Sequence, residues 1–338
     1  MPVNYLPVHF GVGCLIYDSP MSRADDIYER FFLLKNSRQL TGHDVENTVV
    51  CFFNPFYKTI NLYMKNEICE EQVNSYRLNG FIVIEDFLSA AELEEWRIAL
   101  TKAVINRRGD KLPGRKEVYG KGDNTDKSYF DNVFDQLLNL WQDNEKMRKI
   151  MLDKRLGKMA ATLAGVDGIR IWHDQALIKK PWANPTSWHL DTPYWSFSDR
   201  KALSVWVALD DATLENGCLF FIPSSYKRTS FENPGIGKNM GAIFDVYPEF
   251  KSTQSFPAFM KAGSCSFHNG LTIHGAHANM TPGYRRAMTC AYMPDGNTFN
   301  GTQNILSDEQ IARLEIGDLL NDELQNPLIY SNQLQPQV

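Results

Sequence analysis

The stretch Ile169-Arg-Ile-Trp-His-Asp-Gln-Ala-Leu-Ile178 is where the chain changes its period. Before it, from Glu70 to about Val166, apolar residues recur mostly at helical spacing; after it they alternate or fall in short runs. The runs Ala202 to Leu209, Cys218 to Ile222, Ser264 to Phe267, Leu271 to His274 and Arg286 to Tyr292 follow, separated by clusters of Gly, Pro, Asn and Asp. Many short strands punctuated by turn residues predict a mainly β fold, a sandwich or jelly roll. The earlier helices then flank the outside of one sheet.

Within the helical part, Ser89-Ala-Ala-Glu92 reads as a capping box with Leu88 and Leu93 as its staple, opening a helix through Trp96, Leu100 and Val104. The run Phe81-Ile-Val-Ile84 reads as a strand. A second helix is expected from about Asp131 through Leu137, Leu138, Trp141 and Met147, and a third around Ala160 to Ala164. Residues 1–65 are aromatic-rich; Phe31-Phe-Leu-Leu34 and Val49-Val-Cys-Phe-Phe53 suit buried strands or short helical segments equally. The expected organisation is an N-terminal extension over 1–65 and one domain over 66–330. That domain has helical support at 70–166, a β core at 168–295 and a C-terminal segment at 296–330.

With 43% hydrophobic and 22% charged residues in 338, the chain can bury a large core, which excludes a disordered or fibrous protein. A net charge of -5 argues against nucleic acid or anionic lipid as the main partner. The six cysteines are scattered without a C-x-x-C pair and read as reduced thiols. No stretch is long and apolar enough to span a bilayer, and the N-terminus lacks a signal-peptide pattern, so a cytoplasmic location without membrane partners is the expectation. Oligomeric state is not encoded in any of these features.

Five of the seven histidines fall between His173 and His277. In Ser187-Trp-His-Leu-Asp191, an extended backbone would send His189 and Asp191 from the same face, able to chelate one ion. Taken alone, His-x-Asp is a weak signal, and such a pair is more often a coincidence or a surface hydrogen bond than a metal site. A second element, Leu271-Thr-Ile-His-Gly-Ala-His-Ala-Asn279, carries His274 and His277 and is followed by the turn-rich Met280-Thr-Pro-Gly283 and by Tyr284-Arg-Arg-Ala287. A hairpin turning near Thr281 would pair Arg285 approximately with Ala276, on the wall that holds His274. Two histidines and a carboxylate form a facial triad that leaves positions open on Fe(II) for a bidentate co-substrate and O2. A buried arginine suits the far carboxylate of a dicarboxylic keto acid.

Trp188-His-Leu-Asp-Thr-Pro-Tyr-Trp195, Trp206-Val-Ala-Leu-Asp-Asp211, Glu215-Asn-Gly-Cys-Leu219 and Ile273-His-Gly275 stand in order, with Arg285 eleven residues after His274. Together with Glu71 to Tyr76, Gly80 to Ile84 and His173 to Pro181, this pattern resembles the phytanoyl-CoA dioxygenase family of Fe(II)/2-oxoglutarate-dependent oxygenases over about residues 70–330. The resemblance implies a double-stranded β-helix, a cupin-like jelly roll. It implies His189, Asp191 and His274 as iron ligands, Arg285 on the distal carboxylate of 2-oxoglutarate, and Trp206 and Gln175 lining that pocket. Oxidation of a small-molecule metabolite at an unactivated C–H bond would follow, with hydroxylation as the default. An oxidative cyclase or desaturase of specialised metabolism, as in kainoid-type cyclases, would use the same site. Asp191 argues against a halogenase, in which a small residue replaces that ligand. Two departures stand out: the family's usual P-G-S-H appears as Pro223-Ser-Ser-Tyr226, and Ala276 takes the place of the serine in I-H-G-S, so a co-substrate hydroxyl contact is missing.

His173, His268 and His277 read as packed or hydrogen-bonded histidines rather than ligands. Arg286 should face away from Arg285. Trp188, Tyr194 and Trp195 beside the metal motif fit plain core and a substrate wall equally well. The basic loop with Arg107, Arg108, Lys111, Arg115, Lys116 and Lys121 suits a solvated surface. If it binds substrate, Arg115 and Lys116 point to a carboxylate-bearing metabolite. A cupin-like metal enzyme without a keto acid would leave Arg285 without a task, and a non-catalytic metal-binding jelly roll would owe its histidines to packing.

Overall fold

Ser89 opens its helix as its sequence predicts: its hydroxyl accepts from the backbone N–H of Glu92 while the Glu92 carboxylate accepts from the N–H of Ser89. The computed structural model describes residues 64–113, 129 and 131–334, plus the backbone of two short strands, β1 (Thr48–Val50) and β2 (Thr59–Asn61). The chain forms two compact units, residues 1–49 and 50–338. The run from Phe31 to Leu34 lies outside the described residues, as do Arg115, Lys116 and Lys121.

The helical part contains α1 (Glu70–Asn79), β3 (Phe81–Ile84) and α2 (Ala90–Arg107). After these come β4 (Asp135–Leu138), α3 (Leu140–Asp143), α4 (Glu145–Met151) and α5 (Lys154–Ala164). The expected helix from Asp131 is therefore corrected: Leu137 and Leu138 lie in a strand that pairs with the next one. Asn139, in the left-handed region at φ 53°, breaks the chain before a short helix begins. Arg107 ends α2 and is buried, its guanidinium held by the Asp143 carboxylate and the carbonyl of Asn139, so it belongs to the scaffold rather than to an exposed loop.

The β part comprises β5 (Gly168–Lys179), β6 (Thr186–His189), β7 (Leu203–Ala208), β8 (Leu219–Phe221), β9 (Phe256–Ala258), β10 (Cys265–Asn269), β11 (His274–Ala276), β12 (Arg285–Pro294) and β13 (Leu328–Ser331). Two short helices, α6 (Ile243–Val246) and α7 (Asp308–Ile311), lie in its connections. One sheet runs β13-β5-β12-β7-β10-β3 with β4 on the outer edge of β5, and a facing four-stranded sheet runs β6-β11-β8-β9. This is the mainly β, two-sheet jelly roll with flanking helices. The strand β9 contains Pro257, which is tolerated because β9 is an edge strand.

The expected hairpin between β11 and β12 does not form. β11 pairs with β6 and β8 in the smaller sheet, while β12 pairs with β5 and β7 in the larger one. The turn after Asn279 crosses between sheets, so Arg285 reaches the interior from the wall facing His274. Burial follows the alternation: Val205, Val207, Phe267, Met288 and Cys290 pack outward against Trp96, Leu100, Leu156, Met159 and Leu163 of α2 and α5. Their neighbours form rows across the inner face. One row is Phe81, His268, Ser204, Ala291 and His173, and the next is Val83, Ser266, Trp206, Thr289 and Gln175.

The unusual Pro223-Ser-Ser-Tyr226 has a role in this scaffold. Ser224 sits at φ 63° where a glycine would be unstrained, and its N–H and hydroxyl donate to the carbonyls of Asn79 and Leu78, both at 2.7 Å. Tyr226 donates its hydroxyl to the carbonyl of Arg77 at 2.6 Å. These bonds satisfy carbonyls that the end of α1 leaves without helical partners. Tyr226→Phe should cost about 1 kcal/mol, the worth of one such bond, seen as a lower urea midpoint with unchanged metal affinity.

Candidate active site

Asp191 is not in an extended segment, as its spacing from His189 suggested. Strand β6 ends at His189, and Asp191 has φ -85° and ψ -52°, at the entrance to a 3₁₀ turn over Thr192–Tyr194. The N–H groups of Asp191 and Thr192 both donate to the carbonyl of Gly270, at 2.9 and 3.0 Å, which fixes the turn against the link from β10 to β11. A Cβ at Gly270 would lie 2.1 Å from Thr192 Oγ1 and 3.0 Å from Trp195 Cζ3, so only glycine permits this approach.

His274 lies directly opposite His189 in the β11–β6 ladder, with ring centroids 4.1 Å apart. Nε2 of each lies 3.6 Å from Asp191 Oδ1, and the ligand atoms of the three residues lie within 4.8 Å of one another. Nδ1 of His189 meets the carbonyl of Ser187 at 2.8 Å, and Nδ1 of His274 meets that of Thr272 at 2.9 Å. A carbonyl can only accept, so each Nδ1 carries the proton and each Nε2 presents a lone pair to the centre. Burial, reinforced by His189, pushes the His274 imidazole well below the usual range and keeps it neutral. Burial alone would raise the Asp191 carboxyl, but the histidines around it, His274, His189 and His268, hold it well below the carboxylate range, so it is ionised. Two imidazole Nε2 atoms and one carboxylate converging on one point suit a divalent iron.

His268 is hydrogen-bonded, as expected, and its partner gives it a role in the site. Its Nε2 donates to Asp191 Oδ2 at 3.2 Å and Ser204 Oγ donates to the same oxygen at 3.1 Å, leaving Oδ1 toward the two ligand histidines. Both come from one row of the larger sheet. Its sequence signal was its alternation with Ser266 inside a buried strand. His277 lies outside β11 and is exposed, and His173 is buried, its ring edge-on to Trp195 at 6.3 Å.

On the facing wall Arg285 is 2% exposed, yet its Nε and Nη1 are buried without a hydrogen-bond partner. Its Cζ lies 5.1 Å from the Trp206 ring. Burial brings its guanidinium down to about 10, which leaves it charged. Arg286 faces the other way, its guanidinium donating twice to the Asp210 carboxylate at 2.7 and 2.9 Å. Gln175 lies in the Trp206 row and accepts from Gln136 Nε2 at 2.5 Å; Gln136, on β4, escaped the sequence reading because its strand was taken for a helix. The orphaned donors of Arg285 fit a carboxylate of a bound acid.

Of the aromatic residues beside the metal motif, Trp195 is buried with Phe197, Trp172, Ala291 and Phe299, and Tyr194 packs against that cluster. Trp188 alternates to the opposite face of β6 and packs against Phe220 and Phe244, away from the three ligand atoms.

The family model for phytanoyl-CoA dioxygenase (PhyH) matches residues 76–287. The chain belongs to this family. It is an Fe(II)/2-oxoglutarate-dependent dioxygenase, with iron and 2-oxoglutarate as its cofactors. Peroxisomal phytanoyl-CoA dioxygenase of Mus musculus is 26% identical over 242 residues, covering 67% of this chain and 69% of its own. Ectoine dioxygenase of Bordetella parapertussis is 26% identical over 250 residues, covering 68% of this chain and 77% of its own. Among solved structures, the non-heme alpha ketoglutarate dependent carbocyclase SnoK from nogalamycin biosynthesis aligns with TM-score 0.63 at 26% identity, covering 78% of this chain and 98% of its own.

His189→Ala and His274→Ala should each abolish Fe(II) binding, whereas His277→Ala leaves it intact. His268→Ala should weaken it by about tenfold, the low end of what lost outer partners of metal ligands cost. Anaerobic iron titration distinguishes these, and Gly270→Ala, which displaces Thr192 and with it Asp191, should behave like a ligand deletion.

Proposed function

We propose that this enzyme oxidises an unactivated C–H bond of a small-molecule metabolite, with hydroxylation as its outcome. The carrying observation is the pairing of a complete histidine–aspartate–histidine set with a buried Arg285 whose donors are unmet on the facing wall. When bound, iron and 2-oxoglutarate supply the oxidising chemistry, consuming O2 and releasing succinate and carbon dioxide. His189, Asp191 and His274 hold the metal from one side. Arg285 receives the distal carboxylate of 2-oxoglutarate through its unpaired N–H groups, with Trp206 beneath the guanidinium and Gln175 lining the passage. Trp195 and its aromatic neighbours exclude water on the side where the substrate lies. The retained Asp191 carboxylate leaves no vacancy for a halide.

The likeness to a carbocyclase over nearly the whole of that protein's length favours a second reading, oxidative ring closure or desaturation of a specialised metabolite at the same site. Support for a carboxylate-bearing substrate is narrower, resting on Arg115 and Lys116. No helix among the described residues is long and apolar enough to cross a membrane, and a cytoplasmic setting suits the free thiols of Cys69, Cys218, Cys265 and Cys290.

Anaerobically reconstituted enzyme, screened against candidate metabolites, should form succinate in step with an oxidised product, whose mass separates hydroxylation (one oxygen gained) from cyclisation or desaturation (two hydrogens lost). Arg285→Ala should weaken 2-oxoglutarate binding by roughly 30- to 150-fold, corresponding to about 2–3 kcal/mol for a charge-assisted contact, with iron affinity unchanged and Arg286→Ala far milder. Equal effects from the two arginines would sink the assignment.

A further inference from the structure

Lys179 is fully buried and lies directly opposite Arg285 in the β5–β12 ladder. Residues directly opposite in an antiparallel pair project from the same face, so two cations share one end of the buried inner face of the larger sheet. Neither has a carboxylate partner among the described residues. The nearby acids are committed elsewhere: Asp210 to Arg286, and Asp135 to Lys180 at 2.7 Å. Lys179 Nζ donates instead to the carbonyls of Val133 at 3.2 Å and Asn184 at 2.6 Å. A neutral amine has two N–H groups, and these two carbonyls match them; an ammonium has three.

Resting on the proposed role of Arg285, we infer that Lys179 is a proton-linked positioning residue for the co-substrate, taking up a proton as the distal carboxylate of 2-oxoglutarate enters beside Arg285. The physical cause is Coulombic. Without an anion, the unscreened guanidinium disfavours a second positive charge in the same buried space. A carboxylate on Arg285 cancels that repulsion, and by linkage whatever favours the proton on Lys179 also favours the dianion. The end of the barrel therefore selects an oxo acid with a second carboxylate over a monoanionic one.

Burial, with the charge of Arg285 second, brings Lys179 down to about 7, so much of it is neutral at ordinary pH. The surroundings contribute little else that titrates there. Gly217 packs on its stem, where a Cβ would lie 2.7 Å from Lys179 Cδ. On that loop Glu215 is held below its usual range by the Thr213 hydrogen bond, and the Cys218 thiol is pushed up to about 11 by burial. From the loop carrying Asn184 comes Lys180, paired with Asp135 of β4, and His277 follows β11 at the surface. Asp174 is raised to about 7 by burial, but it faces outward on β5, accepting from the N–H groups of Leu140 and Trp141 at 2.7 and 2.9 Å. It is the group to be distinguished.

The test is calorimetric titration of 2-oxoglutarate into anaerobic Fe(II)-loaded enzyme between pH 6 and 9, in buffers of differing ionisation enthalpy. The wild type should take up close to one proton at pH 8 and little at pH 6, with Kd rising above pH 7 by at most about tenfold per pH unit, the limit for one linked proton. Lys179→Met should lose both the uptake and the pH dependence, binding like the wild type at pH 9 and more weakly at pH 6. Lys179→Arg, charged throughout, should bind without proton uptake and guards against a folding defect in the methionine variant. Titration with 2-oxobutyrate, which lacks the second carboxylate, should release the binding heat without proton uptake. Persistent uptake in both variants, uptake with 2-oxobutyrate, or none in the wild type with 2-oxoglutarate overturns the inference. Failure of the wild type to bind 2-oxoglutarate at all would instead remove the functional reading on which it rests.

Discussion

One carbonyl carries the geometry of the metal centre. Gly270 accepts hydrogen bonds from the consecutive N–H groups of Asp191 and Thr192 just where the chain leaves β10 of the larger sheet for β11 of the smaller. Three of the residues that define the site depend on that crossing: His268 lies just before it, His274 just after it, and Asp191 hangs from it. The chain cannot move the link without moving all three. The contact tolerates no side chain at position 270, so the constraint is steric as well as hydrogen-bonded. A triad that runs from His189 to His274, 85 positions on, is thus held by a local clamp.

The second organising force is the cost of burying charge. At the metal end, one carboxylate is compensated by donors from His268 and Ser204, and burial keeps the His274 imidazole neutral, so the negative charge is preserved for a cation. At the other end, Arg285 is buried without an acidic partner and with two donors unmet, a state that costs stability by itself and is relieved by an anion. The two sheets therefore face each other with a carboxylate among histidines on one side and an unpaired guanidinium on the other. Desolvation that destabilises the empty protein becomes affinity for the ligand.

Much of this was legible in the sequence, because alternation and turn residues report which face of a strand is buried. The strands β5, β7, β10 and β12 and the opposed directions of Arg285 and Arg286 follow from period-two alternation, and the helix α2 follows from its capping box. Two features were not. Leu137 and Leu138 continue a helical spacing by accident, and it is edge pairing along the long β5 that makes them a strand; the loss of that strand hid Gln136. The turn after Asn279 looked like a hairpin, since nothing local distinguishes a turn that closes a ladder from one that crosses between sheets. Arg285 therefore stands on the sheet facing His274 rather than on the wall that a hairpin would have given it, and it is buried there. His268 was readable as buried, but its partner Asp191 lies 77 positions away, and only the folded chain brings them together.

The reaction outcome is set by parts of the molecule other than the ligand triad. Hydroxylation and ring closure both begin with removal of a substrate hydrogen and diverge according to which atom then lies nearest the reacting centre, a matter of substrate placement. Beside the metal motif, Trp195, Phe197 and Trp172 form one aromatic cluster, backed by Phe299, Ile305 and Leu306 of the C-terminal segment. The ladder between β5 and β12 shifts register between Ala291 and Tyr292, so that Trp172 is an extra residue beside His173. Such a bulge re-aims side chains at the cost of one ladder position, and here Trp172 packs in the aromatic cluster with Ala291, which lies between Ser204 and His173 in its row. His173 in that row, brought down to about 4 by burial, is neutral, and its Nδ1 is buried without a hydrogen-bond partner. The interior thus separates its groups in space: its charged groups include Asp191, Arg285 and Lys179, whereas the cluster around Trp195 is aromatic and nearly uncharged.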